Sequence, residues 1–559
     1  MTLHTYFIVT LILGLFLHAQ GDSADQHAPV VQTSLGILKG GYVTVKGKET
    51  GAHAFLGVPF AKPPVGPALR FAPPQPVEKW SGVKDATEQP PMCVQNKAVL
   101  KNLASKLGIK VETPDISEDC LYLNIYTPAN RDSDAKLPVM VWIHGGRFLS
   151  GAASAYDGSA LAAYEDVVVV LIQYRLGLLG FLSTGEKDMA GNFGLLDQVE
   201  ALKWVQQHIH NFGGNPDQVT IFGESAGGMS VSFLFLSPLS NGLFHGGISG
   251  SGTAVIFDDL QIDPLITATM AANMSGCSLE SPEIIGNCMK NVDLQKLVPL
   301  TEVPGLGPRI TVDGLFLTKP VHELFTNHEL LNIPFMTGIT SDECGWLLPS
   351  YLAPKSWTEG MTRDEVKGVL SIFYADEPKD VALNLIIDEY TGKSEDPKIL
   401  RTAFTDILAD LTFTIPALKT ANAHTEVGAP VYVYEYNFVP RRIKKTRPEF
   451  VGADHADDLF TVCGFCFTTT HVKLMEECSK EEENVTRTVM KYWANFARTG
   501  SPNGDGLVHW PQYGQKENYL FIDAEQVVRQ QLRKERFVFL TQTLPKMLEK
   551  LKINDHMEL

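Results

Sequence analysis

Five apolar, largely β-branched runs constrain the fold more than any other feature of this chain: residues 139–143, 167–172, 219–222, 335–339 and 431–436. None shows the polar alternation of a strand with one wet face. Each is therefore predicted to be buried on both faces, as in a parallel sheet covered by helices on either side. Amphipathic stretches lie between them. Within 196–212, Leu196, Val199, Leu202, Val205, Ile209 and Phe212 recur at helical spacing, and Gly213-Gly214 supplies a stop. That apolar face is read as packing. The pattern predicts an α/β architecture with a large, mostly parallel central sheet flanked by helices.

Two long segments, 251–330 and 345–425, lack strand character, and insertions of this length commonly build lids and pocket walls. No internal repeat or Pro/Ser-rich linker divides the chain. The 559 residues are therefore expected to hold one catalytic domain over 22–555.

The formal net charge of −17 argues against a nucleic-acid partner, which calls for a basic patch. An apolar run from Tyr6 to Leu17 is too short to span a bilayer, and small residues follow it. It reads as a signal peptide over 1–21, although only His4 supplies charge before the run. No later stretch is long and apolar enough to span a membrane. The chain ends His556-Met557-Glu558-Leu559, which resembles the signals read by the retrieval receptor of the endoplasmic reticulum. A lumenal location is expected, with Asn273 and Asn484 as sequons for glycosylation. Eight cysteines in such a compartment imply disulfides. Cys463 and Cys466 have C-x-x-C spacing, but no further zinc ligands lie in register, so the pair is read as structural.

At the end of the third apolar run stands Gly223-Glu224-Ser225-Ala226-Gly227. This is the G-x-S-x-G pattern of a nucleophile held on a sharp strand-to-helix turn. The pentapeptide alone is equally compatible with an ordinary surface turn. A serine hydroxyl needs a base in contact and a third group to orient that base. In α/β-hydrolases those partners follow in the order acid, then histidine.

Downstream of Ser225 and before the tail lie His245, His322, His328, His424, His455, His471 and His509. His455 stands out, within the small, polar stretch 452–458, although by pattern alone it could equally be a solvent-facing loop residue. At the end of the fourth run, Asp342 and Glu343 are adjacent candidates for the acid, and spacing does not choose between them. The run 139–143 leads into His144-Gly145-Gly146-Arg147, similar to loops whose backbone N–H groups stabilise a tetrahedral oxyanion. Gly145, Gly146 and Ala226 are the candidate donors. No cofactor or metal is expected.

These motifs together resemble the type-B carboxylesterases of the cholinesterase superfamily, over essentially the whole mature length. The resemblance is carried by 212–215 with 223–227, by Glu118-Asp119-Cys120-Leu121-Tyr122-Leu123-Asn124-Ile125, by 57–64, and by Asn495-Phe496-Ala497-Arg498. It is greatest to the vertebrate lumenal carboxylesterase-2 group. The resemblance implies the α/β-hydrolase fold and hydrolysis of small-molecule esters through an acyl-enzyme. It assigns Ser225 as nucleophile, Glu343 as acid with Asp342 as the alternative, and His455 as base. It also implies disulfides Cys93–Cys120 and Cys277–Cys288, leaving Cys344, Cys463, Cys466 and Cys478 without a family pairing.

The chain departs from the family at several positions. Arg147 replaces a small residue and would crowd the site or favour anionic acyl substrates. Cys344 replaces a phenylalanine, Ala456 and Asp458 vary the histidine loop, and Ala68 adds one residue to its segment. Gly250 replaces a glutamate, which would weaken support behind the site. Thioesters and acylglycerols are alternative substrates for the same triad. Choline esters are disfavoured, because no tryptophan lies between Cys93 and Cys120 to bind a quaternary ammonium. A non-catalytic, adhesion-type relative is disfavoured because all three triad residues are present.

Overall fold

The computed structural model describes residues 28–557 except 133, 257–262, 304 and 375–377. The expected signal peptide lies outside the described residues, as do Glu558 and Leu559 of the tail. Among the described residues no helix is long and apolar enough to cross a membrane.

Eleven strands form the central sheet: β1 (Gly41–Val43), β2 (Ala52–Pro59), β3 (Tyr122–Pro128), β4 (Leu137–Ile143), β5 (Val168–Ile172), β6 (Gly214–Glu224), β7 (Gly246–Gly250), β8 (Phe335–Thr340), β9 (Val431–Tyr436), β10 (Asn518–Ile522) and β11 (Gln526–Gln530). Their spatial order is β11-β10-β9-β8-β7-β6-β4-β5-β3-β2-β1. The seven strands from β5 to β10 pair in parallel, and the strands outside them pair antiparallel. All five apolar runs fall in the parallel part.

Burial on both faces explains their near-continuous hydrophobicity. Successive side chains of a strand point to opposite faces. Val139, Val141 and Ile143 of β4 accordingly join one core cluster with Val168, Val170, Phe335 and Val433. Met140 and Trp142 join the other, with Val169, Phe222, Met336 and Tyr434.

Helix α1 (Lys97–Lys106) precedes the sheet's centre in sequence, and α2 (Phe193–His208) leads into β6. The amphipathic stretch 196–212 is thus shorter as an α-helix than its spacing predicts. Its last turn tightens to 3₁₀ geometry over Ile209–Phe212, and Gly213 stops it at φ 84°. Gly214 already belongs to β6. The segments read as insertions are predominantly helical, and Cys277–Cys288 ties the loop after the helix Pro264–Ser275 to the helix Pro282–Met289. Cys93–Cys120 is the second disulfide and Cys466–Cys478 a third. Cys466 therefore pairs outside its C-x-x-C motif, while Cys344 and Cys463 are free and buried.

Candidate active site

Strand β6 ends at Glu224 and helix α3 (Ala226–Leu236) begins two residues later, leaving Ser225 alone in the turn. Its backbone sits at φ 57°, ψ −125°. A non-glycine residue held there costs on the order of 1–3 kcal/mol, so its surroundings must over-determine it. They do. Ser225 N donates to Gly250 O at 2.9 Å, and Met229 N donates back to Ser225 O at 2.8 Å. The flanking glycines permit this packing. A Cβ on Gly227 would lie 2.0 Å from Ile143 O, and one on Gly223 would lie 2.5 Å from Gly227 C.

The loop after β4 lies directly against the turn. A Cβ on Gly145 would stand 2.6 Å from Glu224 O and 3.1 Å from Ser225 Cβ. Gly146 has φ 105°, outside the range open to other residues. His144 braces this loop: its ring stacks on Tyr174 at 4.4 Å, and its Nδ1 lies 2.9 Å from Gly145 O. Tyr174 donates to His144 O at 2.8 Å. Burial holds the His144 imidazole neutral, down to about 4. Arg147, with φ 61°, is exposed.

Glu343 and His455 meet across 112 positions of sequence. Glu343 Oε2 lies 2.7 Å from His455 Nδ1, and Thr340 N donates to Glu343 Oε1 at 2.8 Å. Asp342 points elsewhere, accepting from Gly452 N at 2.8 Å, and so braces the histidine loop. That loop has further ties. Arg447 grips Asp457 with two bonds of 2.8 Å, Asp457 Oδ2 also accepts from Asp454 N, and Asp454 accepts from Leu347 N at 2.7 Å. Of the other histidines, His424 is a core residue stacked on Phe335 at 4.0 Å, held neutral by burial at about 3.

Two neighbours of His455 carry no signal in the spacing. Glu224 Oε1 lies 3.2 Å from His455 Nε2. Phe413, from the second insertion, stacks on the imidazole at 4.5 Å. Glu224 stands beside Ser225 in the motif, and this adjacency was its only sequence clue; Phe413 had none. Burial opposes charge on the ring, but the carboxylates of Glu224 and Glu343 outweigh it and raise the imidazole's proton affinity. Burial likewise raises the Glu224 carboxyl, with His455 opposing the shift. The charge on each group therefore biases the protonation of the other.

Behind Glu224, Tyr434 donates to Asp458 Oδ2 at 3.1 Å. A Cβ on Gly250 would lie 2.8 Å from the Tyr434 hydroxyl. The Tyr434–Asp458 pair thus occupies the space that a larger side chain at position 250 would need. Asn273 and Asn484 are exposed, on the helices Pro264–Ser275 and Lys480–Thr499.

A central sheet with this strand order, a serine on the turn after its central strand, and an acid–histidine contact beside that turn define an α/β-hydrolase. The chain belongs to the carboxylesterase family, whose model matches residues 27–540, and it is accordingly a carboxylic ester hydrolase. It is 44% identical to the pyrethroid hydrolase Ces2e of Rattus norvegicus over 98% of this chain and 94% of that protein. It is 44% identical to the cocaine esterase of Homo sapiens, over 96% of this chain and 95% of that one. Identity to the medium-chain fatty acyl-CoA hydrolase precursor of Anas platyrhynchos is 44%, over 94% of each chain.

Proposed function

We propose that this protein hydrolyses carboxylic esters through an acyl-enzyme on Ser225, with His455 as general base and then acid and Glu343 as the orienting carboxylate. The observation that carries this reading is the 2.7 Å contact between Glu343 and His455 Nδ1, with Nε2 turned toward the serine turn at Glu224. Proton removal by Nε2 lets the serine oxygen attack the carbonyl. Gly145 N, Gly146 N and Ala226 N are the proposed oxyanion donors, supported by the close approach of Gly145 to Ser225. One such donor typically contributes on the order of 3 kcal/mol to transition-state stabilisation. Collapse of the tetrahedral species expels the alcohol, protonated by His455, and a water then repeats the cycle on the acyl-enzyme.

Thioesters are the second reading, favoured by the similarity to an acyl-CoA hydrolase. The triad chemistry is the same, and only the leaving group differs. The domain is taken to run over 22–555 behind a cleaved signal peptide. The retrieval-like tail would hold the enzyme in the endoplasmic reticulum lumen, with Asn273 and Asn484 glycosylated. The test is Ser225→Ala: hydrolysis of 4-nitrophenyl butyrate should fall at least about 10³-fold with circular dichroism unchanged. Near-normal turnover would exclude the mechanism.

A further inference from the structure

Two cations stand at the rim of this site without a carboxylate partner among the described residues. Arg147 is exposed and follows the Gly145-Gly146 pair directly. Two trans peptides keep its Cα within about 7.6 Å of Gly145 Cα, and Gly145 abuts Ser225. Lys106 closes helix α1. Its Nζ lies 4.2 Å from the Tyr351 ring centroid and 5.0 Å from that of Trp346, and it donates to Ser350 Oγ at 2.6 Å.

The segment that receives Lys106 is fixed next to the base. Trp346 N and Leu347 N donate to the two oxygens of Asp454, the residue before His455. Tyr351, at its far end, is 49% exposed. Burial raises the Tyr351 phenol, and Arg147 is near enough to offset part of that shift. Lys106 thus sits on a half-exposed tyrosine, and the charge of Arg147, from the loop after β4, is felt at the same ring. The buried Asp454 carboxyl acts on Lys106 from beneath; neither cation is in an ion pair among the described residues, and on a chain with a net charge of −17 such cations near the serine focus a local positive field.

We propose that Arg147, beside the Gly145-Gly146 pair, and Lys106, seated on Tyr351 and Trp346, form an anion-recognising rim that selects esters or thioesters bearing a carboxylate or phosphate remote from the scissile carbonyl. This rests on Ser225 being the nucleophile. The anion is held by charge at the rim while its neutral chain reaches the serine. The effect belongs mainly to substrate capture and hence to KM.

Two matched substrate pairs test it: 4-nitrophenyl hydrogen glutarate against its neutral methyl ester, and butyryl-CoA against S-butyryl-pantetheine, which lacks the nucleotide phosphates. The wild type should show a higher kcat/KM for the anionic member, expressed mainly as a lower KM and erased by about 0.5 M NaCl. Arg147→Gln and Lys106→Gln should each cut the anionic-to-neutral ratio about threefold, and Arg147→Glu should invert it. A preference confined to the glutarate pair assigns a carboxylate; one confined to the thioester pair assigns a phosphate. Turnover of all four substrates with a ratio near one, or ratios unmoved in the variants, overturns the rim alone. Absence of turnover of all four overturns the rim and the Ser225 mechanism together.

Discussion

Glu224 Oε1 stands 3.2 Å from His455 Nε2, on the side of the imidazole opposite Glu343. His455, the proposed base, is therefore held between two buried carboxylates. With a single proton on the Glu224–His455 pair, only the form that carries it on Glu224 leaves Nε2 free to accept from serine. The ionised form, glutamate with imidazolium, is the unproductive alternative.

The sign of the resulting pH effect is fixed. Glu224 raises the proton affinity of His455, so removing its charge lowers it. In Glu224→Gln the imidazole should stay neutral to lower pH, and the acid limb of the kcat/KM profile should move down by about one unit. An acid limb that stays in place or moves up would show that Glu224 does not set the base.

The adjacent carboxylates separate by role. Glu343→Gln keeps the shape but fails to hold the required tautomer, and kcat should fall about 10³–10⁴-fold. Asp342→Ala loses the acceptor for Gly452 N and loosens the loop, with a loss in kcat below about tenfold. Equal losses in the two variants would contradict the assignment.

Ala456, the residue after His455, has φ 71°. The left-handed region costs alanine about 1 kcal/mol relative to glycine, partly offset by glycine's greater unfolded-state entropy. Ala456→Gly should therefore stabilise the protein by about 0.5 kcal/mol, read as a small rise in Tm by calorimetry. A fall in Tm would show that the strain is relieved elsewhere.

Arg447 and Asp457 are both buried and joined by two hydrogen bonds. Removing one partner strands a charge, so Arg447→Ala should cost about 3–5 kcal/mol of stability and lower activity through the histidine loop. The double variant Arg447→Met, Asp457→Leu should recover part of that stability in thermal unfolding. No recovery would mean that the Asp457 bond to Asp454 N, rather than the charge pair, dominates.

The parallel centre of the sheet is legible because burial on both faces leaves a continuous apolar signature, and β5 is the clearest case. The short outer strands leave none. β1 has three residues, and β11, Gln526–Gln530, is exposed along nearly all its length. The tight turn at Ser225 and the glycine loop packed against it could be located because glycine spacing reports close backbone approach. The choice of Glu343 over Asp342 needed the family resemblance, since adjacency along the chain does not say which carboxylate reaches a histidine 112 residues on. Phe413 reaches His455 only through the path of a long insertion. The Cys466–Cys478 bond was equally hidden, because spacing does not determine disulfide connectivity.

The central claim is that Ser225 is the nucleophile. Its most direct test is peptide-mapping mass spectrometry after treatment with a fluorophosphonate probe. The adduct is predicted on the peptide containing Ser225 in the wild type and should be absent from Ser225→Ala. An adduct on another serine, or one retained in the variant, would contradict it.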